Sequence, residues 1–120
     1  MILVVDDDDF IVDFLVTALE TSDYTVEAAY GGREAYAKAK KGKPDLVILD
    51  IMMPDMHGFD VCQALRSEKS LQSTKILVST AKGYAVDRRA AERLGADGYL
   101  VKPFSADELL KKVKSLVGEP

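Results

Sequence analysis

Five apolar runs of strand length recur along the chain, at residues 2–5, 24–28, 46–49, 76–78 and 99–101, and a segment of helical periodicity follows each. This fivefold β-α alternation constrains the chain more than any other feature. Strands that are apolar on both faces need cover on both faces, and strands joined through helices run parallel with right-handed crossovers. The expected fold is therefore a three-layer, doubly wound α/β domain. With 120 residues, 48% of them hydrophobic, the chain suits one domain over residues 1–120. Ile11, Leu15, Ala18 and Leu19 make an apolar stripe on the first helix, and Leu109, Leu110, Val113, Leu116 and Val117 make one on the last. Ser105 and Glu108 read as a capping box opening that last helix. Gly42 and Gly95 mark helix ends, and Gly58 opens the third helix from a turn.

Composition excludes several classes. A net charge of −4 argues against direct nucleic-acid binding or attachment to acidic membranes. Lys111, Lys112 and Lys114 read as a solvated face complementing a helix C-terminus. No apolar run reaches membrane-span length and the first residues lack the pattern of a signal peptide, so a cytoplasmic location is expected. The single cysteine, Cys62, suits a reducing compartment and is read as a helix residue only.

In a doubly wound sheet, function collects at the carboxyl ends of the strands. The first strand runs into Asp6, Asp7, Asp8 and Asp9, and the third ends in Asp50, followed by Ile51, Met52, Met53 and Pro54. Strand four ends in Ser79, Thr80 and Ala81, and strand five in Lys102, Pro103 and Phe104. Converging carboxylates repel one another, and one lysine leaves excess negative charge for a cation to neutralise. Mg²⁺ suits such a set, because it takes oxygen ligands, keeps several waters and is commonly held by one or two carboxylates plus phosphate oxygens. Phosphoryl transfer needs in-line placement and charge stabilisation, for which metal, lysine, hydroxyl and backbone N–H groups are the usual tools. Asp8 and Asp9 are read as helix N-terminal residues, outside this chemistry.

These residues resemble the receiver domain of two-component response regulators over essentially the whole chain. The resemblance is carried by residues 2–8, by residues 45–58 (Asp-Leu-Val-Ile-Leu-Asp-Ile-Met-Met-Pro-Asp-Met-His-Gly) and by residues 95–104 (Gly-Ala-Asp-Gly-Tyr-Leu-Val-Lys-Pro-Phe). It implies a flavodoxin-like five-stranded sheet of order 2-1-3-4-5. It also implies a phosphoacceptor signalling domain, not a turnover enzyme, that takes a phosphoryl group from a sensor histidine kinase or histidine phosphotransfer protein. Asp50 would be the phosphoacceptor. Asp7, Asp50 and the Met52 carbonyl would hold Mg²⁺, with Asp6 helping through metal-bound water. Thr80, Ala81 and Lys102 would meet the phosphoryl oxygens, and Thr80 with Tyr99 would form a switch altering the surface near the fourth helix, fifth strand and fifth helix. A cis Lys102–Pro103 bond is expected.

Further expectations concern partners and lifetime. Phe10 and Phe14, beside the core stripe of the first helix, and Pro103 form a docking edge for the phosphodonor protein. The alternative is that the two phenylalanines join the core. Met52 and Lys82 stand where they would tune the lifetime of the acyl phosphate. His57 is read as a solvent-facing turn residue. Arg89 and Glu92 occupy the positions where the winged-helix subfamily carries apolar dimer contacts, which weakens that mode of phosphorylation-dependent dimer while leaving other dimers open. A haloacid-dehalogenase-like Mg²⁺ phosphatase is the alternative function. It fits Asp6, Asp7 and Asp8 in part, but Phe10 stands where Thr or Val is expected, and a late acidic pair and room for a substrate cap are missing.

Overall fold

The apolar runs become strands β1 (Ile2–Val5), β2 (Val26–Ala29), β3 (Leu46–Asp50), β4 (Lys75–Ala81) and β5 (Gly98–Lys102), all parallel in the order β2-β1-β3-β4-β5. The structure, a computed structural model, describes residues 1–53, 55–81, 89, 92–93 and 95–120. Helices α1 (Asp9–Thr21), α2 (Gly32–Gly42) and α3 (Gly58–Ser67), a 3-10 turn (Lys69–Leu71) and a C-terminal helix (Ala106–Val117) complete the described elements. The helix expected between β4 and β5 falls mostly outside the described residues, although Arg89, Glu92 and Arg93 are helical.

Alternation along each strand feeds two apolar layers. Leu3, Val5, Val47, Leu49, Ile76 and Val78 meet Ala35 and Ala39 of α2 and Val61, Cys62 and Leu65 of α3. Ile2, Val4, Leu46, Ile48 and Leu77 meet Val12, Leu15 and Leu19 of α1 and Leu109 and Val113 of the C-terminal helix. Burial pushes the Cys62 thiol up to about 11, which keeps it protonated and unreactive inside the first layer.

Helix ends follow local chemistry, with some corrections. Asp8 caps α1, its side chain accepting from the Phe10 N–H at 2.9 Å, and Ser105 and Glu108 form the expected capping box. The left-handed residue closing α2 is Lys43 (φ 47), while Gly42 remains the last helical residue. Strand β2 begins two residues later than the apolar run suggests. Asp23 turns left-handed (φ 72) and the Tyr24 N–H still bonds to Leu19 O of α1, so Tyr24 belongs to the turn, with its hydroxyl donating to Gly118 O.

Gly58 sets the distance between α3 and the end of β3. Its N–H donates to Ile51 O at 2.7 Å, and a Cβ there would lie 2.5 Å from Ile51 Cα and 2.7 Å from Asp50 O. Backbone cannot yield as a side chain can, so Gly58→Ala should cost about 1–3 kcal/mol. Gly42→Ala, whose Cβ would meet only the Met1 side-chain tip (3.0 Å) and, at 3.9 Å, that of Glu27, should be neutral or stabilising. Urea unfolding of both variants measures the contrast.

Candidate functional site

Register assembles the site. Val5 pairs with Leu49, so Asp6 and Asp50 emerge side by side; Asp50 pairs with Ser79, Thr80 with Val101, and Ala81 with Lys102. Asp6 (1% exposed) and Asp50 (5%) are buried, while Asp7 is exposed at the rim. Carboxylate oxygens of Asp6, Asp7 and Asp50 lie within 4.8 Å of one another. The Lys102 ammonium reaches Asp6 Oδ2 at 2.7 Å and Asp50 Oδ1 at 3.2 Å. The Lys102–Pro103 bond that follows is cis.

The electrostatics follow from burial and charge. Burial and then the Asp6 carboxylate raise the Asp50 carboxyl above its ordinary range, against the opposing effect of Lys102 and of the Met52 N–H, which donates to it. Burial disfavours the Lys102 ammonium, yet its bonds to Asp6 and Asp50 outweigh this and raise it. Three carboxylates against one ammonium leave two negative charges, a donor set that fits a hard, oxygen-seeking cation such as Mg²⁺.

Thr80 is fully buried, and among the described residues its hydroxyl is the one buried side-chain polar atom without a hydrogen-bond partner. Such orphans are rare, and this one stands two strand positions beyond Val78 on the same face. Val78 pairs with Tyr99, which is half-buried against that layer. Thr80 and Tyr99 thus share one side of the sheet.

Other expected residues are placed as follows. Ala81 ends β4 at the surface, Met52 is 49% exposed beside Asp50, and Pro103 is exposed. Phe10 is 86% exposed and so lies outside the core; Phe14 is partly exposed and packs on Phe104 with ring centroids 5.9 Å apart. Lys82 lies outside the described residues. His57 is exposed, as expected, and also caps α3 by accepting from the Phe59 N–H at 3.1 Å. Asp55 had no sequence-level assignment, yet it accepts from the Gly32 and Arg33 N–H groups at 3.0 and 3.2 Å. The signal available for it was indirect, a Gly-Gly helix start with no capping side chain of its own.

A family model described as the response regulator receiver domain matches residues 2–114. The chain belongs to the response regulator receiver family. The receiver is 45% identical over 116 residues to the alkaline phosphatase synthesis transcriptional regulatory protein PhoP of Bacillus subtilis, covering 97% of this chain and 48% of that protein. It is 40% identical to the DNA-binding dual master transcriptional regulator RpaA of Synechocystis, with the same coverage. The chain thus spans about half the length of these curated relatives. Among solved structures it resembles a putative response regulator from Chloroflexus aurantiacus (TM-score 0.93, 34% identity, 98% of this chain and 97% of that one). It also resembles the Vibrio cholerae chemotaxis protein CheY4 (TM-score 0.91, 37% identity, 96% of each chain). These matches give the phosphatase alternative no support.

The orphaned hydroxyl yields a stability prediction. Thr80→Val removes no hydrogen bond and should change folding free energy by less than about 1 kcal/mol. Thr74→Val, which strips the buried Pro44 carbonyl of a donor at 2.7 Å, should cost about 1–3 kcal/mol. Denaturant midpoints of the two variants against wild type check this.

Proposed function

We propose that Asp50 accepts a phosphoryl group from a phosphohistidine of a sensor kinase or phosphotransfer protein. The observation that carries this reading is the buried Asp50 carboxylate, ion-paired to Lys102, with a partnerless buried hydroxyl on Thr80, one residue past the Ser79 that pairs with Asp50. An Asp50 oxygen attacks phosphorus in line with the imidazole nitrogen. As the P–O bond forms the P–N bond breaks, and the departing imidazole takes up a proton. The Lys102 ammonium, the Thr80 hydroxyl and the Ala81 N–H meet the equatorial oxygens as their charge grows. Asp7, Asp50 and the Met52 carbonyl would hold Mg²⁺, with Asp6 acting through its water; the ion supplies charge neutralisation to carboxylates and phosphoryl oxygens.

In the phosphorylated state Thr80 moves toward the new group and Tyr99 turns into the space released, which alters the surface around β5 and the neighbouring helices. Phe10, Phe14 and Pro103 form the docking edge for the donor protein, and the exposure of Phe10 supports this use. The switched surface controls an output, through an effector or an output domain, and a phosphorylation-dependent dimer would be one form of that control.

Incubation with acetyl phosphate and Mg²⁺ should add one phosphoryl mass to wild type and none to Asp50→Asn, read by intact-mass spectrometry. Equal labelling of the variant would move the phosphoacceptor elsewhere. The lifetime of the label follows from Met52. A thioether is a poor partner for an attacking water, whereas an amide can hydrogen-bond it. Met52→Asn should therefore lose label faster, by about tenfold, corresponding to about 1.4 kcal/mol. Decay of purified phosphoprotein measures this.

A further inference from the structure

The loop between β3 and α3 carries Met52 and is held by hydrogen bonds at two places. At the near end Ile51 N–H donates to Ser79 O at 3.1 Å and Ile51 O accepts from Gly58 N–H at 2.7 Å. At the far end the loop grips α2. That helix starts at Gly32 behind Gly31, which offers no side-chain cap, and Asp55 supplies the missing acceptor from across the loop: Oδ1 takes the Gly32 N–H and Oδ2 the Arg33 N–H.

The fit is close from both sides. A Cβ on Gly31 would lie 3.0–3.2 Å from the Asp55 carboxyl atoms, and one on Gly32 would meet Met56 Cβ at 2.7 Å and Val61 Cγ2 at 2.8 Å. Gly31 has an extended backbone (φ −164) that any residue can adopt, so what glycine provides there is space for the carboxylate. The same two N–H groups hold the Asp55 carboxyl below its ordinary range, so it accepts as a carboxylate at neutral pH.

We propose that Asp55 is a positioning residue for the metal and phosphoryl site, fixing the loop that carries Met52 by tying it to the N-terminus of α2. The inference rests on the function proposed above, in which the Met52 carbonyl is a ligand. The Met52 N–H is already aimed at Asp50, three residues before Asp55. With the loop clamped at both ends, the carbonyl is held in place before any ion arrives, and binding need not order it. Without the clamp that ordering falls on the binding step.

The test measures Mg²⁺ affinity by isothermal titration of the whole chain with MgCl₂, alongside melting temperature. Asp55→Ala should weaken Mg²⁺ by about tenfold, the low end for loss of a group that supports metal ligands. Asp55→Asn, which keeps one acceptor oxygen, should fall between it and wild type. Gly31→Ala, which crowds the carboxylate without removing it, should also weaken Mg²⁺, and the double variant Gly31→Ala with Asp55→Ala should lose no more than Asp55→Ala alone. Thr74→Val, at the opposite end of the sheet, controls for lost stability: it should melt lower yet keep wild-type Mg²⁺ affinity. Unchanged Mg²⁺ affinity in Asp55→Ala, or an equal loss in Thr74→Val, overturns the positioning role while the function stands. A wild type that binds no Mg²⁺ overturns both.

Discussion

Lys102 holds its ammonium between two carboxylates that burial would otherwise force apart or protonate, 2.7 Å from Asp6 and 3.2 Å from Asp50. Two strands separate β5 from β1 in the sheet, so only a long, flexible stem brings the charge back over the strand ends. The ammonium offsets part of the repulsion, but with Asp7 at the rim the three carboxylates still leave two negative charges at strand ends where Asp6 and Asp50 have lost nearly all contact with water. Much of the surrounding architecture keeps this unbalanced set in place. Register brings Asp50 level with Ser79 and Ala81 level with Lys102, and Gly58 lets α3 sit directly on the backbone that follows Asp50.

The same strands that hold the charges also connect them to the surface. Thr80 and Tyr99 share a sheet face, and the Thr80 hydroxyl has no hydrogen-bond partner. On the proposed function, a phosphoryl group on Asp50 offers that hydroxyl its first acceptor, and the adjoining space passes to an aromatic ring on a neighbouring strand. Such a coupling would be short, because β4 and β5 are adjacent. It needs only two alternative packings of a small group of side chains.

Most of the candidate site was legible in the sequence because its carboxylates, hydroxyl and lysine stand at the ends of apolar runs. A carboxylate, hydroxyl or lysine at such a place breaks the pattern of a buried strand, and parallel topology brings those breaks to one edge. Phe10 was ambiguous, since a wide apolar arc would have included it; burial of Val12, Leu15 and Leu19 turns it to solvent. The start of β2 was misread because Tyr24 has a strand former's side chain but follows a left-handed Asp23. Asp55 was illegible as a cap, because the N–H groups it accepts from lie 23 and 22 residues away and only the fold brings them near. Helix capping leaves a sequence signal when it is local, as at Asp8 and Ser105, and none when it crosses a loop.

Three carboxylates against one ammonium carry uncompensated charge that a bound divalent cation would relieve. A carboxyl whose folded pKa is raised, as that of Asp50 is, lowers stability as pH rises from its unfolded to its folded value, and the full loss is present above the latter. Melting temperature at neutral pH and constant ionic strength, with and without MgCl₂, tests this directly. Wild type should gain stability with Mg²⁺, by about 2.7 kcal/mol at a hundredfold excess over Kd, and metal-free Asp50→Asn should melt above metal-free wild type with a flattened Mg²⁺ response. A wild-type melting temperature indifferent to Mg²⁺, or an Asp50→Asn variant less stable than wild type in metal-free buffer, would contradict it.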